Sequence, residues 1–167
     1  MGKIILLSIV ALEQIKKGGP VTITSKEMTR FFMSMPQAVG LVIKVAEKMK
    51  GREIFILKMD SLRIIDLAEA MIEELAPVYG HDPKNIPIQV IGVRSGEKLY
   101  ESLITEEEAQ FVEDAGEMYI LRPGMISPHF NEENYKSNIC MKSYNSRDAR
   151  LLTKEEIKLR LYKDNLI

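Results

Sequence analysis

Residues 91–108 read Ile91-Gly92-Val93-Arg94-Ser95-Gly96-Glu97-Lys98-Leu99-Tyr100-Glu101-Ser102-Leu103-Ile104-Thr105-Glu106-Glu107-Glu108. An arginine ends an apolar strand candidate (residues 86–93), and a glycine turn leads into a predicted short helix over residues 96–103. Such a junction aims a guanidinium and the free N–H groups of a helix N-terminus at one spot, which is the chemistry of an anion site. Read alone, the same pattern also fits a strand-to-helix turn with a solvated arginine.

Upstream, residues 4–17 form a helix closed by Gly18-Gly19-Pro20, glycine past the end and proline beyond. Its apolar run imitates a secretory leader, but Glu13-Gln14-Ile15-Lys16-Lys17 follows with no small-residue cleavage site. The run is also far short of the ~20 apolar residues of a bilayer span, so a helix buried on most sides is expected. Val21-Thr22-Ile23-Thr24 is a β-branched strand, and Met28-Thr29-Arg30-Phe31-Phe32-Met33 a second one carrying a cation in its middle. An edge-strand arginine pointing to water is one reading of that cation. Ser34 and Gln37 have capping-box spacing, opening a helix with the stripe Ala38, Leu41, Val42, Val45, Ala46 and Met49 up to Gly51. Residues 53–57 are a strand, and residues 61–75 an amphipathic helix stopped by Pro77 and Gly80.

Downstream, Thr105-Glu106-Glu107-Glu108 is a capped turn, and residues 111–112 and 118–121 a pair of short strands. Residues 123–145 are irregular and polar, an extended segment over the surface, and Thr153 caps a terminal helix to about Tyr162. The expected fold is mixed α/β (α+β), with small short-stranded sheets and packed amphipathic helices. Residues 1–122 form the main unit, and residues 123–167 add the surface segment and helix to the same domain.

Charge excludes several classes of partner. Lys plus Arg number 23 against 24 Asp plus Glu, a formal net charge of -1. No global field draws such a chain onto nucleic acid or an anionic membrane, so neither is an expected partner. An anion has to be held by a few placed cations. The one cysteine, Cys140, leaves no disulfide framework or Cys-rich zinc site; it reads as a half-buried thiol in a reducing cytoplasm. His81 and His129 are isolated loop residues, so no metal site is expected.

The ordered set "GGPVTIT…EMTRFF", "GREIFIL", "IIDLAEAM" and "IGVRSGEKLYESLITEEE" resembles the substrate-binding, C-terminal part of extended short-chain dehydrogenase/reductases. The nearest branch is the polysaccharide-biosynthesis enzymes, the UDP-N-acetylglucosamine 4,6-dehydratases. The resemblance covers residues 12–123, with a looser echo at residues 144–161. It implies that Arg30 and Arg94 reach the diphosphate of a UDP-sugar and that Glu97 accepts hydrogen bonds from the ribose hydroxyls. Thr22 and Thr24 lie where the family packs the uracil. Two guanidiniums suit a diphosphate and an acceptor-only carboxylate suits a diol. Lys98 and Glu101 face solvent or close the turn. Ser95 departs from the family's R-P-G-E-K-L pattern.

The resemblance further implies an N-terminal Rossmann part that holds NAD or NADP and supplies a Tyr-x-x-x-Lys pair. Neither a glycine-rich dinucleotide motif nor a lysine four residues after any tyrosine occurs in these 167 residues. No catalytic residue and no cofactor is therefore assigned to the chain, which is expected to be inactive alone. In the family the first helix and the helix opened by Ser34 pack toward the Rossmann part. Self-association, the 123–145 segment or a separately encoded Rossmann partner is expected to cover their stripes. The competing expectation is a relic that no longer binds ligand and serves as an interaction module.

Overall fold

Residues 2–122 and 139–164 are described by the computed structural model, with side chains from residue 9 onward. The chain runs α1 (Gly2–Lys16), β1 (Val21–Ile23), β2 (Thr29–Phe31), α2 (Met35–Lys48), β3 (Ile54–Leu57), β4 (Ser61–Arg63) and α3 (Ile64–Leu75). Two 3-10 turns follow, then β5 (Ile88–Val90), β6 (Ser102–Ile104), α4 (Glu106–Ala109), β7 (Val112–Asp114), β8 (Met118–Leu121), β9 (Tyr144–Asn145) and α5 (Lys154–Lys163). The expected mixed α/β architecture of short strands and packed helices is what the chain adopts.

Where the hydrogen bonds are local, the helix starts fall where the sequence places them. Ser34 with Gln37, Thr105 with Glu108 and Thr153 with Glu156 each form a reciprocal capping box, satisfying backbone N–H groups that a helix start leaves without partners. Long-range pairing moves other boundaries. The helix expected from residue 61 begins at Ile64, because Ser61–Arg63 pair antiparallel with Thr29–Phe31. Ser61 also donates to Arg150 O and accepts from Leu152 N, both at 2.8 Å. The small β9 was not anticipated; it pairs with β6. Residues 123–138, most of the expected surface segment, and His129 lie outside the described residues.

Two hydrophobic clusters organise the fold. The larger joins Ala11 and Ile15 of α1, β1, β4, α3, Ile86, Leu152 and α5. The smaller collects Ile56, Ile104, Ala109, Val112 and Leu121 around the β3-β8-β7 sheet. Tyr144 links the two regions. Its hydroxyl accepts from Met59 N at 2.6 Å and donates to Met59 O at 3.0 Å, and its ring lies 4.9 Å from that of Phe31. Burial pushes its phenol pKa up.

α1 is less buried than expected. Ala11 and Ile15 are inside, whereas Ile9 and Val10 are exposed. No residue of α2 is buried; Met35, Val39, Val42, Ile43 and Met49 stand in the open. Cys140 is exposed rather than half-buried.

Charged side chains fasten α5 to α3. Lys154 bridges Glu69 and Glu73, and Lys158 bridges Glu73 and Glu74. Hydrogen bonds from Lys154 and Lys158 hold Glu73 below the ordinary carboxylate range, and those from Lys158 and Tyr162 do the same for Glu74. A carboxyl depressed on folding contributes stability that is present above its unfolded pKa and is lost as pH falls through the folded one. Acid should therefore loosen the contact of α5 with α3. Amide exchange across residues 154–163 is expected to accelerate, relative to the β1-β5 pair, which carries no titratable side chain, as pH drops below about 4; equal protection at low pH would contradict this.

Candidate functional site

β1 and β5 lie parallel, with Thr22 opposite Gln89 and Ile23 opposite Val90, and Ile91 N donates to Ile23 O at 2.9 Å. Their C-terminal ends therefore leave the sheet together. Thr24 follows one strand and the segment running to Arg94 follows the other. Ligands of open α/β sheets bind outside such strand ends.

The segment after β5 is a turn, not the predicted helix. Glu97 N donates to Arg94 O at 3.0 Å and Gly96 has φ +82°, the pattern of a type II turn with Ser95 at its second position. The helix fails because the carbonyls it would use are engaged elsewhere. Lys98 O accepts from Arg30 and Leu99 O from Thr29 N, so the chain continues extended into β6. No helix N-terminus is available to an anion here. What the turn offers is the exposed Arg94 side chain beside the half-buried Glu97. Glu97 Oε2 accepts from Arg94 N at 3.2 Å, and among the described residues its other oxygen has no partner, which suits a hydroxyl donor.

Ser95 occupies the position where a type II turn favours proline, whose ring presets φ near −65°. Ser95→Pro is accordingly expected to raise stability by about 0.4–1 kcal/mol by restricting the unfolded chain. A lowered melting temperature would show that the turn is of another type. Gly96→Ala works in the opposite direction: nothing lies within 4 Å of its added Cβ, yet a left-handed non-glycine residue costs ~1–2 kcal/mol.

Arg30 is buried, only 4% exposed, and does not point to water. Its Nη1 donates to Thr29 O at 2.7 Å and Leu99 O at 3.3 Å, and its Nη2 to Lys98 O at 2.9 Å. Nε lies 3.7 Å from the Glu101 carboxylate. Three of the five N–H groups of the guanidinium thus serve backbone carbonyls. Thr22 is engaged as well: its hydroxyl accepts from Gln14 Nε2 at 2.8 Å while its N–H donates to Gln14 Oε1 at 3.0 Å. Among the described residues the hydroxyl proton has no acceptor. Thr24 is half-buried at the strand end.

Thr24 follows β1 and the Arg94–Glu97 turn follows β5 at the same end of the parallel pair, while Arg30 meets the chain leaving that turn at Lys98 and Leu99. The structure adds Thr29 and Ser146, which the sequence reading did not single out. Thr29 Oγ1 lies 2.9 Å from Ser146 Oγ, and 117 positions separate the two residues. No local signal could have joined them. Glu101 neither faces only solvent nor touches the turn: its carboxylate lies 3.7 Å from Arg30 Nε, and its backbone pairs with Ser146. No group of three or more metal-ligating side chains occurs among the described residues.

Its likeness to known proteins marks the chain as a module of the short-chain dehydrogenase/reductase type. It matches the X-ray structure of Pen from Bacillus thuringiensis with a TM-score of 0.81 and 33% identity, over 96% of this chain and 46% of that one. Residues 8–123 match the polysaccharide biosynthesis protein family, and the chain belongs to that family. It is 53% identical to an uncharacterized membrane protein of Methanocaldococcus jannaschii over 87% of this chain and 41% of the relative. It is 36% identical to a UDP-glucose 4-epimerase of Rickettsia canadensis over 88% of this chain and 42% of that protein. The chain thus spans less than half the length of these relatives. No helix among the described residues is long and apolar enough to cross a membrane.

Proposed function

We propose that this chain is the UDP-sugar-binding part of a polysaccharide-biosynthesis 4,6-dehydratase or epimerase. The observation that carries the reading is the Arg94–Glu97 turn at the C-terminal end of the parallel β1-β5 pair. It sets a guanidinium that has no ion pair among the described residues near a carboxylate with one oxygen unengaged among them. Arg94 neutralises the diphosphate, which its planar fork can grip bidentately. Glu97 accepts from the ribose hydroxyls, and Thr22 and Thr24 border the uracil. Arg30, whose guanidinium holds the carbonyls of Lys98 and Leu99, joins the diphosphate side of the site where the chain leaves the turn. A relative named UDP-glucose 4-epimerase supports the nucleotide-sugar class.

The dehydratase reaction shuttles a hydride between sugar and NAD or NADP. The residues of this chain do not fit such a cofactor, because no glycine-rich dinucleotide loop occurs among them. The cofactor and the acid/base groups come from a Rossmann part, joined to this chain or separately encoded. The open apolar residues of α2 support such a partner or a homo-oligomer. On this reading the chain works in the cytoplasm and turns nothing over alone.

Calorimetric titration with UDP and UDP-N-acetylglucosamine tests the reading. Weak but saturable binding of both is expected, since a Rossmann part would supply the rest of the pocket. The absence of heat at millimolar UDP would instead favour a module that acts only through protein contacts.

A further inference from the structure

We propose that Arg30 and Ser146 are positioning residues: together with Thr29 they clamp residues 98–101 and thereby hold Arg94 and Glu97 in the geometry that meets the ligand. The inference rests on the UDP-sugar reading of the turn, but its structural half can be measured without any ligand.

The clamp is saturated. Ser146, fully buried, gives its one hydroxyl proton to Thr29 O at 3.2 Å and accepts from Glu101 N at 3.0 Å. The remaining lone pair takes the Thr29 hydroxyl at 2.9 Å, which uses the full capacity of a serine oxygen. Ser146 N donates to Glu101 O at 2.8 Å, so residue 101 is held on both sides. Asn145 turns Ser146 inward, because its Oδ1 accepts from the backbone N–H groups of both Arg147 and Asp148 at 3.0 Å. On the other side Arg30 spans two successive carbonyls, Lys98 O and Leu99 O, with the fork that lysine lacks. A buried guanidinium is costly unless hydrogen-bonded. Here two of its three carbonyl partners belong to the segment that leads out of the turn, and the third is Thr29 O of its own strand. β2, the turn exit and the 145–148 loop are locked to each other through buried and part-buried hydrogen bonds.

Glu97 N–H provides an independent reporter. It bonds to Arg94 O within the turn and touches neither Arg30 nor Ser146. The experiment measures amide exchange by NMR in the full apo chain, and UDP affinity, for wild type, Arg30→Lys, Ser146→Ala and Arg94→Ala. Arg30→Lys and Ser146→Ala are each expected to accelerate Glu97 exchange about tenfold and to weaken UDP about fivefold. Arg94→Ala is expected to weaken UDP by about 10- to 100-fold with Glu97 exchange unchanged. Unchanged exchange in both clamp variants overturns the proposal. So does faster exchange with unaltered UDP affinity, or an Arg30→Lys variant that loses UDP without loosening the turn, which would make Arg30 a direct diphosphate contact. If Arg30→Lys does not fold, Ser146→Ala decides alone, since it removes one hydroxyl. Wild type that does not bind UDP removes the functional reading, and the exchange arm still decides whether the clamp holds the turn.

Discussion

Arg94→Ala is expected to lower the affinity for UDP by about 10- to 100-fold while leaving the melting temperature nearly unchanged. The binding loss follows from removing charge-assisted hydrogen bonds worth ~1.5–3 kcal/mol, with each 1.4 kcal/mol a factor of about ten. The stability side follows from exposure: among the described residues the Arg94 guanidinium has no ion pair, and the side chain lies in solvent. Surface substitutions of this kind stay within about 0.5 kcal/mol. Arg94→Lys should recover only part of the affinity, because an ammonium keeps the charge but not the bidentate fork. Calorimetry on the three proteins, with thermal unfolding alongside, separates the cases. An Arg94→Ala chain that binds UDP as wild type does would remove Arg94 from the site, and with it the main support for the nucleotide-sugar reading.

The largest stability effect is expected at the centre of the bigger cluster. Leu67 of α3 is 1% exposed and packed among α1, β1 and α5. Leu67→Ala loses the transfer energy of the buried side chain and leaves a cavity, at a cost of ~2–5 kcal/mol. For a chain of this size that lowers the melting temperature by about 4–20 °C, a large share of a typical stability of ~5–15 kcal/mol. Val42→Ala in α2 is the matched control. Val42 is 68% exposed and no residue of α2 is buried, so its change should stay below about 0.5 kcal/mol. Urea or thermal unfolding of both variants checks the pair. Comparable losses would mean that α2 is covered in solution, and light scattering would then tell whether a second copy covers it.

What the sequence determined by itself were the features whose physics is contained within a few neighbouring residues. The capping boxes at Ser34, Thr105 and Thr153 need only a hydroxyl and a carboxylate or amide three positions apart, and all three form. The ordered motifs also placed the family, and put Arg94 and Glu97 three residues apart on one turn. Only the tertiary structure decided that this turn does not open a helix. The reason is competition for carbonyls: Lys98 O and Leu99 O are taken by Arg30 and Thr29, 68 and 69 or more positions away, before an i→i+4 ladder can use them. The same long-range pairing made Ser61–Arg63 a strand and buried an arginine that, read locally, points to water. Ser146 lay beyond any sequence signal, because its role exists only once three distant segments meet.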